Sequence, residues 1–187
     1  TGTVKSPTKS YFGGNYVDLV TNKGTMRGVV DLGGGNDLYA GRAGTVVGAI
    51  LGGEGDDRFI AGNSKATIDG GDGIDLLDFG TRTNAVTVDL LTPANNRGTG
   101  VLGDIYSHIE NLAGGTASDK LTGDAGNNSL FGNGGNDTLN GGAGDDVLEG
   151  GVGSAILGAV ARSLRPCGVI KSQVIASVTS RARTIFS

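Results

Sequence analysis

The sequence predicts an all-β coil of very short strands wound around thin internal ladders of apolar side chains, arranged as two repeat blocks with a non-repeat insert between them. Three observations predict it. Glycine takes 37 of the 187 residues, about one in five where roughly 7% is usual. A nine-residue pattern of glycines, one acidic or amide residue and one large apolar residue recurs in phase. Conventional core formers are scarce, with no Trp and only 5% aromatics. Collagen is excluded, because the glycines keep no strict three-residue period and there are only 3 prolines. Disorder is the rival reading for a Gly-rich polar chain, and the periodicity decides against it.

In chain order, residues 1–32 read as a degenerate edge, where Gly13 to Val20 is a faint echo with Asp18 and Val20 in phase. The first block is expected over 33–78. It opens on Gly33-Gly34-Gly35-Asn36-Asp37-Leu38-Tyr39, whose spacing is slightly altered. Gly52-Gly53-Glu54-Gly55-Asp56-Asp57-Arg58-Phe59-Ile60 and Gly70-Gly71-Asp72-Gly73-Ile74-Asp75-Leu76-Leu77-Asp78 follow the pattern fully. Residues 79–113 break it. There Ala85-Val86-Thr87-Val88-Asp89-Leu90 alternates like a strand, and the segment reads as a longer strand pair or lid packed on the coil.

The second block is expected over 114–153, in four copies beginning at Gly114, Gly123, Gly132 and Gly141. Their sixth positions are Asp119, Asn128, Asp137 and Asp146, and their apolar positions are Leu121, Leu130, Leu139 and Leu148. A further copy starts at Gly150 and fails, because Ser154-Ala155 stands where an acid is expected. The basic tail, 154–187, carries apolar residues at 156, 157, 160, 164, 170, 174 and 178 that suit amphipathic helices. A cap on the coil, a secretion signal and a frameshift-like end all remain open for it.

The pattern has a direct physical reading. Six residues rich in glycine make a tight turn, since glycine supplies the positive φ that turns require. The three remaining residues suit a short strand whose central apolar side chain points inward. Two such strands per 18 residues form one coil, and stacked coils pair strand with strand. One large side chain per nine residues is a thin core. Carboxylates stacked from coil to coil also repel one another, and a divalent cation converts that repulsion into a cross-link. Carboxylate and carbonyl oxygens are hard ligands and select Ca²⁺.

Charge separates the coil from the tail. Residues 1–153 hold 10 basic and all 19 acidic residues, a net −9, whereas 154–187 hold 5 basic residues and no acid, a net +5. An acidic body favours cations and argues against nucleic acid. The lone Cys167 permits no internal disulfide. No apolar run approaches the ~20 residues of a membrane span. The start at Thr1, with no signal-peptide pattern, reads as a fragment or a processed form.

The pattern G-G-x-G-x-D-x-U-x, with U a large apolar residue, resembles the calcium-binding repeat of the RTX (repeats-in-toxin, hemolysin-type) family. The resemblance is strong at 52–60, 70–78 and 114–151 and loose at 13–41. It implies a right-handed parallel β-roll in which each Ca²⁺ lies between two turns one coil apart. Carried over, Asp37 pairs with Asp57, Asp57 with Asp75, Asp119 with Asp137, and Asn128 with Asp146. The turn glycines Gly52, Gly53, Gly55, Gly70, Gly71, Gly73, Gly132, Gly135, Gly141, Gly142 and Gly144 offer carbonyls to the same ions. Asn128 is neutral and is expected to bind more weakly. Ala117 replaces a turn glycine and is expected to distort its turn. About three to six sites are expected, since each needs two facing turns. The resemblance further implies a secreted bacterial protein, exported unfolded by type I machinery and folded by calcium outside the cell.

No catalytic centre is legible. His108 is the only histidine and has no zinc-type pattern beside it, so it reads as structural; Cys167 lacks a convincing base. Asp56, Asp145, Glu54 and Asp72 occupy variable turn positions and add negative field. The expected role is a calcium-dependent structural module attached to upstream domains of the same polypeptide. The alternatives are an adhesin segment with a binding outer face, or the C-terminal module of a secreted hydrolase.

Overall fold

The computed structural model describes residues 10–42, 44–62, 65–98, 101 and 103–158, together with the backbone of 183–184. Among the described residues the chain is all-β, with one single-turn 3₁₀ helix, Pro93–Asn95. It forms two compact units. One comprises the residues up to Phe79 together with Asn96–Ile109, the other Gly80–Asn95 together with the residues from Glu110 on.

In the first unit, Leu19–Thr21, Leu38–Ala40, Arg58–Ile60 and Leu76–Asp78 stack as parallel strands. Their central residues Val20, Tyr39, Phe59 and Leu77 lie in register and form a buried ladder. A second parallel stack runs through Tyr11–Phe12, Val30–Gly34, Ile50–Glu54, Thr67–Asp72 and Ile105–Ser107. Val30, Ile50, Ile68 and Tyr106 are its inward column. Alternation of buried and accessible residues along each strand is what the pleat dictates.

The altered spacing near residue 37 has a structural cause. The early coils carry a third strand, Thr25–Arg27 paired with Thr45–Val47, which lengthens them. The extra corner is held by buried Asn22. Its amide donates to the Tyr39 hydroxyl (3.1 Å) and the Thr45 carbonyl (3.2 Å), and its oxygen accepts the Gly24 N–H (3.0 Å). A side chain paired on every polar atom can be buried there at little cost.

In the second unit, Asn111–Ala113, Ser129–Phe131 and Val147–Glu149 form one parallel stack. Val86–Asp89, Lys120–Thr122, Thr138–Asn140 and Ile156–Gly158 form the other. Leu112, Leu130 and Leu148 make one ladder, and Val88, Leu121, Leu139 and Leu157 the facing one, all fully or almost fully buried. Both units are therefore parallel β-solenoids of the expected kind.

Residues 86–89, 105–107 and 111–113, within the segment expected to interrupt the repeat, supply strands to these stacks. The helix expected to begin at 156 is corrected to a strand at its start, because Ile156 and Leu157 continue the register of Thr138 and Leu139. The backbone of Arg183–Thr184 pairs beside that strand. Residues 159–182 and 185–187, with Cys167 and most of the expected tail elements, lie outside the described residues.

Candidate metal centre

Each strand of the repeat is preceded by a turn, and the turns stack in rows as their strands do. In the first unit one row joins the turns that end at Asp18, Asp37, Asp57 and Asp75. In the second, one row joins Asp119 and Asp137, and another joins Asn128 and Asp146. The backbone carries these pairings. The N–H of Asp37 donates to Asp57 Oδ1 (2.7 Å), that of Asp57 to Asp75 Oδ1 (2.8 Å), that of Asp119 to Asp137 Oδ1 (2.9 Å) and that of Asn128 to Asp146 Oδ1 (2.9 Å). Every pair expected from the resemblance is thus a stacked pair, one coil apart.

The row also begins earlier than expected. The Asp18 N–H donates to Asp37 Oδ1 at 2.7 Å, so Asp18 occupies the same position as the others. The signal was present in Gly13-Gly14 followed by Asp18, but Asn15-Tyr16-Val17 hides the glycine pattern between them.

The turn glycines serve two separate purposes. Gly53, Gly55, Gly71, Gly73, Gly135, Gly142 and Gly144 hold φ values between 92° and 139°, where an L side chain is strained. Gly52, Gly70, Gly132 and Gly141 are not in that region. They are glycines for lack of room. A Cβ on Gly52 would run into Asp57 Oδ2 and the Gly70 carbonyl, and one on Gly132 into Asp137 Oδ2 and the Gly150 carbonyl. One on Gly70 would meet Asp75 Oδ2 and the His108 carbonyl, and one on Gly141 would meet the Asp146 carboxylate. Each first-position glycine therefore keeps open a cradle between a carboxylate and, in most cases, a carbonyl from the next coil. His108 completes its cradle from a left-handed backbone (φ 49°), with its ring Nδ1 2.6 Å from Asp69 Oδ1.

The carboxylates are buried and incompletely satisfied. Asp37, Asp57, Asp75, Asp119, Asp137 and Asp146 are all at most 5% exposed. The Oδ2 atoms of Asp37, Asp57, Asp137 and Asp146 have no hydrogen-bond donor. An unpaired buried oxygen of this kind costs about 1–3 kcal/mol, and more when charged. Burial pushes Asp57 up to about 7, with the Asp37 and Asp75 carboxylates adding to the rise. Burial likewise lifts Asp137 to about 6 and raises Asp37, Asp119 and Asp146. A cation between the coils would meet the orphaned oxygens and lower all of these values together.

The donor set fits a hard divalent cation. It consists of carboxylate and carbonyl oxygens, with no thiolate or imidazole in the rows. Among the described residues no three His, Cys, Asp or Glu side chains cluster, so backbone carbonyls must fill most of a coordination shell. Ca²⁺ accepts six to eight oxygens in flexible geometry, which suits this better than the stricter octahedron of Mg²⁺. Among the described residues no helix is long and apolar enough to cross a membrane.

The family model of the RTX calcium-binding nonapeptide repeat, which spans four copies, matches residues 49–78, 107–139 and 122–157. No curated protein matches the chain.

Proposed function

We propose that this chain, whose matched segments belong to the RTX calcium-binding nonapeptide repeat family and so bind Ca²⁺, is a structural module that folds when calcium is supplied outside the cell. The observation that carries the reading is the set of buried Asp oxygens at 37, 57, 137 and 146 that lack any protein donor. The fold is self-opposed without a cation, and the same atoms become ligands with one. Asp37, Asp57, Asp75, Asp137 and Asp146, with carbonyls of the stacked turns, are the ligands we assign.

The consequence is a switch governed by calcium concentration. Extracellular calcium modules work at about 10⁻⁴–10⁻³ M, far above cytosolic levels. A chain that stays open where calcium is scarce and closes where it is abundant suits export in an unfolded state, here by a type I route. No reaction is assigned to this segment. Its work is to hold or present neighbouring domains of the same polypeptide. Far-ultraviolet circular dichroism in chelator and in millimolar Ca²⁺ tests the reading. The β signal and a calorimetric Ca²⁺ uptake are expected to appear together, and an identical spectrum in both conditions would sink it.

A further inference from the structure

The stacked turns are of two kinds. In the turns ending at Asp37, Asp57, Asp75, Asp137 and Asp146, the second and fourth positions both have positive φ: Gly33 and Gly35, Gly53 and Gly55, Gly71 and Gly73, Asn133 and Gly135, Gly142 and Gly144. In the turns ending at Asp18, Asp119 and Asn128, neither position does; these are Gly14 and Tyr16, Gly115 and Ala117, Asp124 and Gly126. Their second-position N–H folds inward instead. Gly14 donates to Asp18 Oδ2 (3.3 Å), Gly115 to Asp119 Oδ2 (2.6 Å) and Asp124 to Asn128 Oδ1 (2.9 Å). These three turns close on their own sixth residue.

Each closed turn is followed one coil on by a turn of the other kind, at Asp37, Asp137 and Asp146, and each meets the demand of its sixth residue differently. Burial and then the nearby Asp18 carboxylate raise the Tyr11 hydroxyl. Asp119 takes the Val86 N–H on its other oxygen at 2.8 Å. Its carboxyl is raised by burial and lowered by its hydrogen bonds and by the positive charge of Arg82. Arg82 is itself buried, and its carbonyl accepts the Thr116 N–H at 3.0 Å, so the residue sits in the turn stacked directly before that of Asp119. The third closed turn carries no charge on its sixth residue. Asn128 replaces the acid, and its amide donates to the Glu110 carbonyl at 2.9 Å. The positive charge of Arg82 at Asp119 and the neutral amide of Asn128 thus do at closed turns what a cation must do one coil on.

We propose that the turns 13–18, 114–119 and 123–128 are calcium-independent starters, which take their native shape without metal and template the calcium-dependent turns stacked on them. The inference rests on the calcium reading above and adds an order to it. Calcium has least to do at these turns, where the sixth-residue oxygens already accept N–H groups, and most to do at Asp37, Asp57, Asp137 and Asp146. The coil one step on, at Asp37, Asp137 or Asp146, then meets a formed template rather than another loose coil.

Residue-resolved amide exchange on the full chain, in chelator and across a Ca²⁺ titration, tests this. In chelator the amides of Gly115, Val86 and Asp124 are expected to exchange at least about tenfold more slowly than those of Asp37, Asp57 and Asn128, which point to the metal-dependent carboxylates. Calcium is expected to bring the second group up to the first. If all turn amides exchange alike in chelator and gain protection together, the starters are refuted while the calcium reading stands. If calcium changes no amide, the calcium reading fails, and the ordering with it. Arg82→Gln is expected to remove chelator-stage protection at Gly115 and Val86 while sparing Asp124 in the other row, with Arg82→Lys retaining it. Unchanged protection of Gly115 in Arg82→Gln would overturn the part given to Arg82. Should that variant not fold, Asn128→Asp decides the matter. It is expected to lose Asp124 protection in chelator and regain it with calcium, and unaltered protection there would overturn the proposal.

Discussion

Asp57→Asn is expected to push the roll in opposite directions with and without calcium. Asp57 Oδ1 accepts the Asp37 N–H, while its buried Oδ2 has no donor. Burial first, then the neighbouring carboxylates, lift the group from 3.8 to about 7. At about 1.4 kcal/mol per pKa unit, holding it ionised opposes the calcium-free fold by on the order of 4 kcal/mol. Because the folded value is raised, the folded state binds the proton better, and calcium-free stability falls as pH climbs from about 4 to about 7. Asparagine keeps the Oδ1 acceptor and places an amide beside the Gly70 carbonyl, which shares the Gly52 cradle with Asp57 Oδ2. At Asn128 the chain already buries an amide that donates to a carbonyl of a neighbouring coil, that of Glu110. Allowing for burial of the new amide, Asp57→Asn should favour the calcium-free fold by about 1–3 kcal/mol at pH 8, and by nothing at pH 3. With calcium the sign reverses. Asp57 stands between two stacked partners, Asp37 and Asp75; a site occupied at a hundred times its Kd contributes about 2.7 kcal/mol, so losing both outweighs the calcium-free gain and leaves a net cost of about 2–4 kcal/mol. Osmolyte-driven folding in chelator measures the first effect, and urea unfolding in saturating Ca²⁺ the second. A variant that is weaker in both conditions, or unchanged in both, would refute the assignment of Asp57 as an ion-opposed, metal-satisfied group.

Three further outcomes follow from the same geometry. Calcium affinity should rise between about pH 5 and 8, with protons released on binding, because Asp137 and Asp57 stand near 6 and 7 without metal; calorimetry in buffers of different ionisation enthalpy reads the proton count, and none released would contradict the raised values. Gly52→Ala should lose one bound calcium and cost about 1–3 kcal/mol through overpacking, whereas Gly126→Ala, whose Cβ would find only Asp124 Oδ1 at 3.2 Å, should keep the full stoichiometry. Ala155→Asp should add a site, because Ala155 stacks one coil after Asp137 and a Cβ on Gly150 would meet only its side chain; an unchanged calcium count would show that Asp137 and the Gly150 carbonyl do not face a usable gap.

The fold was legible wherever the turn announced itself. Gly52-Gly53-Glu54-Gly55 and Gly141-Gly142-Ala143-Gly144 fix a corner, a strand and an inward side chain within nine residues. Residues 79–113 hide the same architecture because stacking does not need that corner. A coil needs an inward apolar residue in register and backbone free to pair. Val86, Val88 and Leu112 meet those conditions without glycine or aspartate around them. The pattern marks where metal is wanted, and the solenoid extends beyond it. The third strand at Thr25–Arg27 and Thr45–Val47 was invisible for a related reason, since its anchor is one buried amide, Asn22, whose partners come from three separate parts of the chain.

The same distinction explains what the candidate centre did and did not reveal in advance. The acid positions and their pairing follow from spacing alone, because a coil of fixed length brings position six above position six. The division of glycines does not. At positions two and four a glycine answers to its own φ, and Asn133 can replace it at φ 66° with its amide bonded to the Gly114 carbonyl at 2.7 Å, asparagine being among the few residues that tolerate that region. At position one the glycine answers to a neighbour, the carboxylate five residues ahead and, in most cases, the carbonyl one coil on. Where the acid is gone, as at Ala155, the Cβ of Gly150 would face a methyl group rather than oxygen. That glycine has no cradle to keep open, so replacing it should not change the calcium count, while the same replacement at Gly52 should. A row of identical letters therefore contains two constraints of different origin, and under the proposed calcium reading only the first-position glycines beside an acid face the metal.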